Sequence, residues 1–527
     1  MTEQPEFFNF AGDVFDRWAK EQPEAPALWW LNEERTVERR FSFAEMRDLS
    51  LRAARVFQES GIRPGDPVMV MLSRVPEWWI VMLGLTRFGA VPIPCTPQLT
   101  THDLEYRLET GNIRAVITDA GGASKLPRFT GTRWQIDGPL PGWRGFGEAI
   151  SQALPECSAP PTRSSDPGII YFTSATTGGP KMVLHTQISY GLGHEVTGRL
   201  WLNLGPDDVH WNTADLGWAK AAWSSFYGPW HCGACLFVWD SRAKFSARHA
   251  LDVLEDYPIT SLCAPPTALR MMVHEDFSKR SFPRLRHCVT AGEPLNPSVF
   301  HAWKDATGLS VYEGYGQSET VILIGHFKEL GFPVVAGSMG RATPGYEVTL
   351  LDDDLLPVPD GEEGEIAVRV GPNRPVGIFK EYWRNPEQTS HHFCGEWYLT
   401  GDRATRDADG YFWFIGRKDD VIKSSGYRIG PFEVESALSA HPAVLDVAVI
   451  GKPDEVRGQI VKAFVVLRHG FDATDETRHA LQDHCKHLVA PYKYPREVEF
   501  VAELPKTVSG KTRRFELRQR HAKAAGA

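Results

Sequence analysis

The densest cluster of chemically useful residues runs from Tyr171 to Lys181, Tyr-Phe-Thr-Ser-Ala-Thr-Thr-Gly-Gly-Pro-Lys. An apolar stretch, read as a buried strand, ends in hydroxyls and glycines, and a lysine follows. Small residues let backbone N–H groups approach phosphate oxygens, hydroxyls donate further hydrogen bonds, and the lysine adds charge. The segment therefore reads as a phosphate-holding loop made of Thr173, Ser174, Ala175, Thr176, Thr177, Gly178, Gly179, Pro180 and Lys181. It is not the GxxxxGK[ST] loop, because Pro180 precedes Lys181 and Met182 follows it. Taken alone, its composition would also suit an ordinary Ser/Thr-rich surface loop.

The downstream segments separate these readings. Tyr315-Gly-Gln-Ser-Glu-Thr320, Tyr398-Leu-Thr-Gly-Asp402, Gly416-Arg-Lys-Asp-Asp420, Ser425-Gly-Tyr-Arg-Ile-Gly430 and Pro505-Lys-Thr-Val-Ser-Gly-Lys511 follow one another along the chain. With the Tyr171–Lys181 loop they resemble, in order, the core motifs of the adenylate-forming superfamily. That superfamily includes acyl-CoA synthetases, peptide-synthetase adenylation domains and beetle luciferases. Gly416–Gly430 and Ala490-Pro-Tyr-Lys-Tyr-Pro-Arg496 look closest to its medium-chain acyl-CoA synthetases. One position departs from the pattern: the superfamily usually has Gly where this chain has Ala175, and Ala tolerates positive φ and close backbone approach less well.

The resemblance implies an enzyme that uses ATP, Mg²⁺ and coenzyme A to turn a carboxylic acid into its thioester through an acyl-adenylate. Medium-chain fatty acids are the expected substrates. A benzoate-type or branched-acid CoA ligase, or a stand-alone adenylation enzyme loading a carrier protein, is the alternative. By the same resemblance, Thr173 to Lys181 would hold the β- and γ-phosphates, and Gly292, Glu293 and Glu313, Gly314, Tyr315 would enclose adenine. Gly316 and Gln317 complete that nucleotide site. Ser318 and Thr320 would touch phosphate or the acyl carboxylate. Asp402 would accept hydrogen bonds from the ribose, as an acceptor-only carboxylate can, with Arg417 nearby. Glu319 would hold Mg²⁺, a hard cation suited to carboxylate oxygens.

Lys511 is the expected catalytic lysine. Attack of a carboxylate on the α-phosphorus builds negative charge on phosphate oxygens, so the protein's task is positioning and charge stabilisation. For coenzyme A, the implied contacts are Ser425, Gly426, Tyr427, Arg428, Arg457, Tyr494, Pro495 and Arg496. Trp218, Ala221, Trp223, Gly292, Gly314 and Ser318 would line the acyl pocket. Lys511 and the Gly-Tyr-Arg segment are needed at one centre at different moments, so the small domain is expected to reorient about Asp419.

These residues need a scaffold of matching size. The chain has 527 residues, 42% of them apolar and 23% charged, which implies more than one packed unit. Ser42 and Glu45 have capping-box spacing ahead of a helix over 43–60, and Pro76 opens another ending near Gly89. Apolar runs at 68–72, 115–118, 168–172, 236–239, 259–263, 287–290 and 310–313 read as strands, and the alternation predicts α/β architecture with mostly parallel sheets. The segment 121–165 reads as an irregular surface connection. Beyond about residue 340 the runs at 365–370 and 411–415 predict a β-rich subdomain. Strands at 444–450, 461–467 and 496–501, with helices at 432–440 and 475–487, predict a small α+β domain. The expected division is 1–418 for adenylation and 419–527 for the mobile domain.

The net charge of −9 gives no general affinity for nucleic acid or anionic membranes. No run reaches the roughly 18 apolar residues of a membrane span. The N-terminal MTEQPEFFNF has no signal-peptide pattern, so a cytoplasmic location is expected. Cys232 and Cys235 have CxxC spacing but no second ligand pair, and they read as buried thiols.

Overall fold

The structure is a computed structural model that describes residues 4–138, 140–173, 180–242, 244–425, 427–454, 456–490, 492–506 and 511–525. Two compact units emerge. The first contains Met1–Gly292, Ala306–Phe332 and Asn373–His391; the second contains Glu293–Asp305, Pro333–Pro372 and His392–Ala527.

In the first unit the strands are, in chain order, β1 (Pro26–Leu31), β2 (Glu38–Ser42), β3 (Pro67–Met71), β4 (Val91–Pro94), β5 (Ala115–Thr118), β6 (Thr132–Gln135), β7 (Arg144–Gly145) and β8 (Pro167–Thr173). They continue with β9 (Lys181–Thr186), β10 (Val209–Asn212), β11 (Cys235–Trp239), β12 (Ser261–Cys263), β13 (His287–Ala291), β14 (Val311–Tyr315) and β15 (Ile324–Gly325). One sheet runs β15-β14-β13-β12-β10-β11-β1-β2. Among these eight strands the pairings from β14 to β1 are parallel, while β2 pairs antiparallel with β1 and β15 antiparallel with β14. A second sheet, β4-β3-β5-β6-β7, is parallel throughout. Strands β3, β4 and β5 are buried along their whole length, as strands covered on both faces must be.

Local sequence explains the flanking helices. The helix Phe43–Glu59 starts in a capping box in which Ser42 and Glu45 satisfy each other's backbone N–H groups. The helix Pro76–Phe88 has Pro at its first position and stops at Gly89, whose φ of 79° suits glycine.

Two expectations are corrected. The stretch 121–165 is not irregular: it supplies β6, β7 and the helix Phe146–Gln152. These elements are short, and Arg133 and Arg144 break their apolar pattern, so periodicity did not reveal them. Strand β8 does not join a parallel sheet. It pairs antiparallel with β9, and β9 pairs antiparallel with the strand Glu381–Tyr382.

The second unit contains the expected β-rich part, in which Val348–Leu351, Glu363–Arg369, Trp397–Arg406 and Phe412–Arg417 pair antiparallel in succession. Beyond Asp420 the strands Val444–Asp454 and Gly458–Leu467 form a long hairpin, and Glu497–Phe500 adds in parallel. The helices Pro431–Ser439 and Asp475–Leu488 contribute Val434, Leu438, Leu481 and Cys485 to its core. A further helix, Arg514–Ala525, was not foreseen from sequence; its Leu517 is buried with Ala448, Ile450 and Phe464. Among the described residues no helix is long and apolar enough to cross a membrane.

Candidate active site

Strands β8 and β9 deliver the ends of the phosphate-loop motif, with Thr173 opposite Lys181 in the antiparallel register. Ser174, Ala175, Thr176, Thr177, Gly178 and Gly179 lie outside the described residues, as does Gly426. Lys181 sits over the ring of Tyr382 at 5.1 Å. The Tyr382 hydroxyl donates to Glu319 Oε1 at 2.8 Å, so the strand Glu381–Tyr382 joins two of the sequence motifs.

The Tyr315–Thr320 motif leaves the end of β14 and is held through its backbone. The Ser318 carbonyl accepts from His185 Nε2 at 2.8 Å and from the Tyr190 hydroxyl at 2.7 Å. Burial pushes His185 down to about 3, with the Ser318 bond opposing that shift. The ring is thus neutral near pH 7 and carries its proton on Nε2, leaving Nδ1 to accept from the Ser189 hydroxyl at 3.0 Å. The Thr320 hydroxyl accepts from the Gln317 N–H at 2.9 Å, and the Glu319 carbonyl accepts from the Phe379 N–H at 2.8 Å. Both bonds fix the turn that presents Glu319.

Gly292 follows β13, and Ala291 at its end pairs with Gly314 of β14. Gly292 has φ of 97°, and a side chain there would meet nothing within 4 Å, so only its backbone demands glycine. Glu293 is the first residue of the second unit. Glu313 is buried and Tyr315 half-buried. The region assigned to the acyl pocket is packed tightly. A Cβ on Gly314 would fall 2.6 Å from Trp201 Nε1, and one on Gly316 would fall 2.4 Å from both Trp223 and the Val321 carbonyl. Trp201 is fully buried, donates to the Tyr312 carbonyl at 3.2 Å and meets Trp223 edge-on at 6.2 Å. Trp218 caps the short helix Ala219–Ser225, which carries the buried Ala221 and Trp223.

In the second unit Asp402 and Arg417 face each other across paired strands, with Arg417 Nε 3.9 Å from the Asp402 carboxylate and 3.6 Å from Asp419. Asp420 is the more enclosed acid of the charged turn and pairs with Arg518 at 2.6 Å. Lys418 bridges Asp353 and Glu365 at 3.4 and 3.0 Å. Its ammonium holds the Asp353 carboxyl below the usual carboxylate range. Arg428 lies 3.6 Å from both Asp353 and Glu363.

Ser425 has φ of 51°, its N–H bonds the Arg457 carbonyl, and Arg457 Nη1 reaches its hydroxyl at 3.4 Å. Tyr427 is half exposed and stacks on Tyr492 at 4.1 Å. Arg496 donates to the Tyr494 hydroxyl at 3.2 Å, and the Pro495 carbonyl accepts from Gln482. Lys511 is exposed just before the helix Arg514–Ala525.

Sequence reasoning missed His185, Tyr190, Trp201 and Tyr382. Each bonds a residue in or beside a motif 63 to 133 positions away in the chain, so spacing held no signal beyond the place His185 shares with Lys181 on β9. Cys232 and Cys235 are buried, and burial pushes both thiols up to about 12.

Gly292 and the Tyr315–Thr320 motif with its Glu319 carboxylate follow the carboxyl ends of the parallel strands β13 and β14, where open α/β sheets bind ligands, and Lys181 is tied to them through Tyr382. Residues 15–383 match the family AMP-binding enzyme, and residues 433–511 match AMP-binding enzyme C-terminal domain. The chain belongs to the AMP-binding enzyme family. It is 48% identical over 530 residues to the Homo sapiens protein named Acyl-coenzyme A synthetase ACSM5, mitochondrial, covering 98% of this chain and 90% of that one. It is 45% identical over 531 residues to Homo sapiens Acyl-coenzyme A synthetase ACSM3, mitochondrial, again covering 98% of this chain and 90% of the other. Among solved structures, the anthranilate CoA ligase AuaEII in complex with anthranoyl-AMP superposes with a TM-score of 0.90 at 30% identity, covering 99% of both chains.

Proposed function

We propose that this chain is an ATP-dependent acyl-CoA synthetase, an AMP-forming acid–thiol ligase acting on medium-chain fatty acids. The observation that carries this reading is the near-full-length similarity to acyl-coenzyme A synthetases. ATP and coenzyme A are then its co-substrates. The first half-reaction joins the acid to AMP and releases diphosphate; the second passes the acyl group to the CoA thiol and releases AMP.

For the first step, Lys181 and the hydroxyls of Thr173 to Thr177 bind the β- and γ-phosphates. Gly292, Glu293 and Glu313 to Gln317 hold the adenine end, while Asp402 and Arg417 hold the ribose. Ser318 and Thr320 orient the reacting carboxylate and phosphate. Lys511 places positive charge where it develops on the α-phosphate oxygens. Glu319 fits a Mg²⁺ ligand: one carboxylate oxygen takes the Tyr382 hydroxyl, which sets its orientation, and the residue is half-buried rather than enclosed. When bound, the ion would neutralise phosphate charge. Trp218, Ala221, Trp223 and Gly314 bound the acyl chain, with Trp201 closing the wall behind Gly314.

For the second step, Ser425, Gly426, Tyr427, Arg428, Arg457, Tyr494, Pro495 and Arg496 receive CoA. We take 1–418 and 419–527 as the functional domains, pivoting at Asp419. The Asp419 N–H makes no hydrogen bond among the described residues, which suits a residue that must change its backbone angles. Rotation there would have to release Arg428 from Asp353 and Glu363, freeing its guanidinium for a phosphate. The cytoplasm is the proposed compartment, to be tested by fractionation against the mitochondrial setting of the named relatives.

A second reading, an aromatic-acid CoA ligase, is favoured by the likeness to the anthranilate ligase. A panel of straight-chain, branched and aromatic acids, read by CoA-dependent AMP release, decides between them. The proposal expects the highest kcat/KM with straight-chain acids of medium length. Preference for benzoate or anthranilate would replace it with the second reading.

A further inference from the structure

Four arginines converge at the amino ends of the parallel strands β3, β5, β6 and β7. Arg63 and Arg114 precede β3 and β5, Arg133 lies in β6, and Arg144 opens β7. Together they line a surface depression of about 650 Å³. None of the four has a carboxylate within salt-bridge distance among the described residues. Elsewhere in the same unit several arginines are paired, among them Arg35 with Asp256, Arg87 with Asp16, and Arg280 with Asp252 and Glu255. The one acidic residue lining the depression, Asp66, accepts the Arg63 N–H at 2.8 Å.

The cluster is braced. The Arg144 guanidinium lies 5.5 Å from the ring centre of Trp134, and that of Arg133 lies 5.8 Å from the ring centre of Trp143. Gly142 has φ of 77°, and a side chain there would come 3.2 Å from the Arg133 guanidinium, so glycine leaves that group its place. Holding like charges together without counter-charges costs free energy through mutual repulsion, and a concave wall focuses their field. A chain with net charge −9 has carboxylates to spare, yet Asp66 is the one acid lining the depression and it pairs with none of these guanidinium groups among the described residues. Guanidinium groups match phosphate oxygens in fork geometry, and several of them match an anion with several charges. The depression also lies at the strand ends opposite those that carry ligands in open α/β sheets, so it is not part of the acyl-activation site.

We propose that this depression is a second anion site, built for a ligand carrying more than one phosphate group. The shared chemistry is clustered phosphate oxygens, whether on a free polyphosphate or on the headgroups of an acidic lipid surface. The test uses the full chain and calorimetric titration with inorganic tripolyphosphate, comparing wild type with Arg133→Gln/Arg144→Gln. Loss of charge-assisted bonds should weaken binding at this site roughly tenfold or more and flatten its salt dependence. Turnover without added anion should be unchanged. Arg63→Gln/Arg114→Gln, which alters exposed side chains outside the strands, should show the same loss and guards against misfolding of the first variant. Cosedimentation with phosphatidylcholine vesicles containing phosphatidic acid forms the second arm. Arginine-dependent vesicle binding assigns the phosphate to lipid headgroups, and tripolyphosphate binding without vesicle binding assigns it to a free ligand. Identical titrations for wild type and both variants, with no arginine-dependent cosedimentation, would overturn the proposal.

Discussion

Tyr382→Phe removes a hydrogen bond to the proposed metal carboxylate. Phenylalanine keeps the ring that meets Phe379 at 4.9 Å and lies beneath Lys181 at 5.1 Å, so packing and the cation contact survive. The 2.8 Å bond to Glu319 Oε1 is lost. A hydrogen bond to a charged acceptor contributes about 1.5–3 kcal/mol, and the half-buried setting points to the lower end, so kcat/KM for adenylation should fall roughly tenfold. The carboxylate would also be less well oriented, which raises the Mg²⁺ concentration needed for half-maximal rate. ATP–diphosphate exchange at varied Mg²⁺ measures both, and a thermal melt checks that the fold is unchanged. Thioester formation from supplied acyl-adenylate should keep its rate. Unaltered exchange with an unaltered Mg²⁺ requirement would refute the coupling of Tyr382 to Glu319.

Lys511→Ala should suppress acyl-adenylate formation by several orders of magnitude while a supplied acyl-adenylate still reacts with CoA; equal loss in both half-reactions would remove the assignment. Asp419→Pro breaks no backbone hydrogen bond among the described residues, removes the 3.6 Å contact with Arg417 and fixes φ near −65°. It should leave one half-reaction near wild type and abolish the other, adenylation being the one expected to persist, as separate stopped assays would show. Acid should destabilise the fold through buried histidines. Burial lowers His185 and His210 to about 3, and His231, His287 and His326 to about 4. Below an unfolded value of about 6.5 the unfolded chain binds more protons, so stability present above that pH is lost as pH falls toward 4, by on the order of 1–2 kcal/mol per histidine at pH 5. Urea midpoints at pH 7.5 and 5 measure it, and a flat profile would contradict the buried neutral rings.

The chain's long-period features were legible because local chemistry fixes them. The Ser42–Glu45 capping box, the Pro76 start and the Gly89 stop each satisfy or break backbone hydrogen bonds within a few residues. The family was equally legible, since its motifs are marked by short runs of neighbouring residues and the family matches cover 15–383 and 433–511. Strands β6 and β7 were not, because their short runs carry arginines and gain stability only from pairing with β5 and with each other. The helix Arg514–Ala525 is polar over most of its length and is anchored by Leu517 and by the Arg518–Asp420 pair, partners distant in sequence. His185, Tyr190 and Tyr382 escaped for the same reason: each supports Ser318 or Glu319 across a fold that no local pattern reports.

The most direct test of the account follows the oxygen of the acid. With carboxyl-¹⁸O-labelled fatty acid, ATP and CoA, attack on the α-phosphorus leaves one acid oxygen on AMP when CoA displaces it. The account predicts acyl-CoA and ¹⁸O-labelled AMP in equal amounts, with unlabelled diphosphate. Label in inorganic phosphate, with ADP as the nucleotide product, would contradict it.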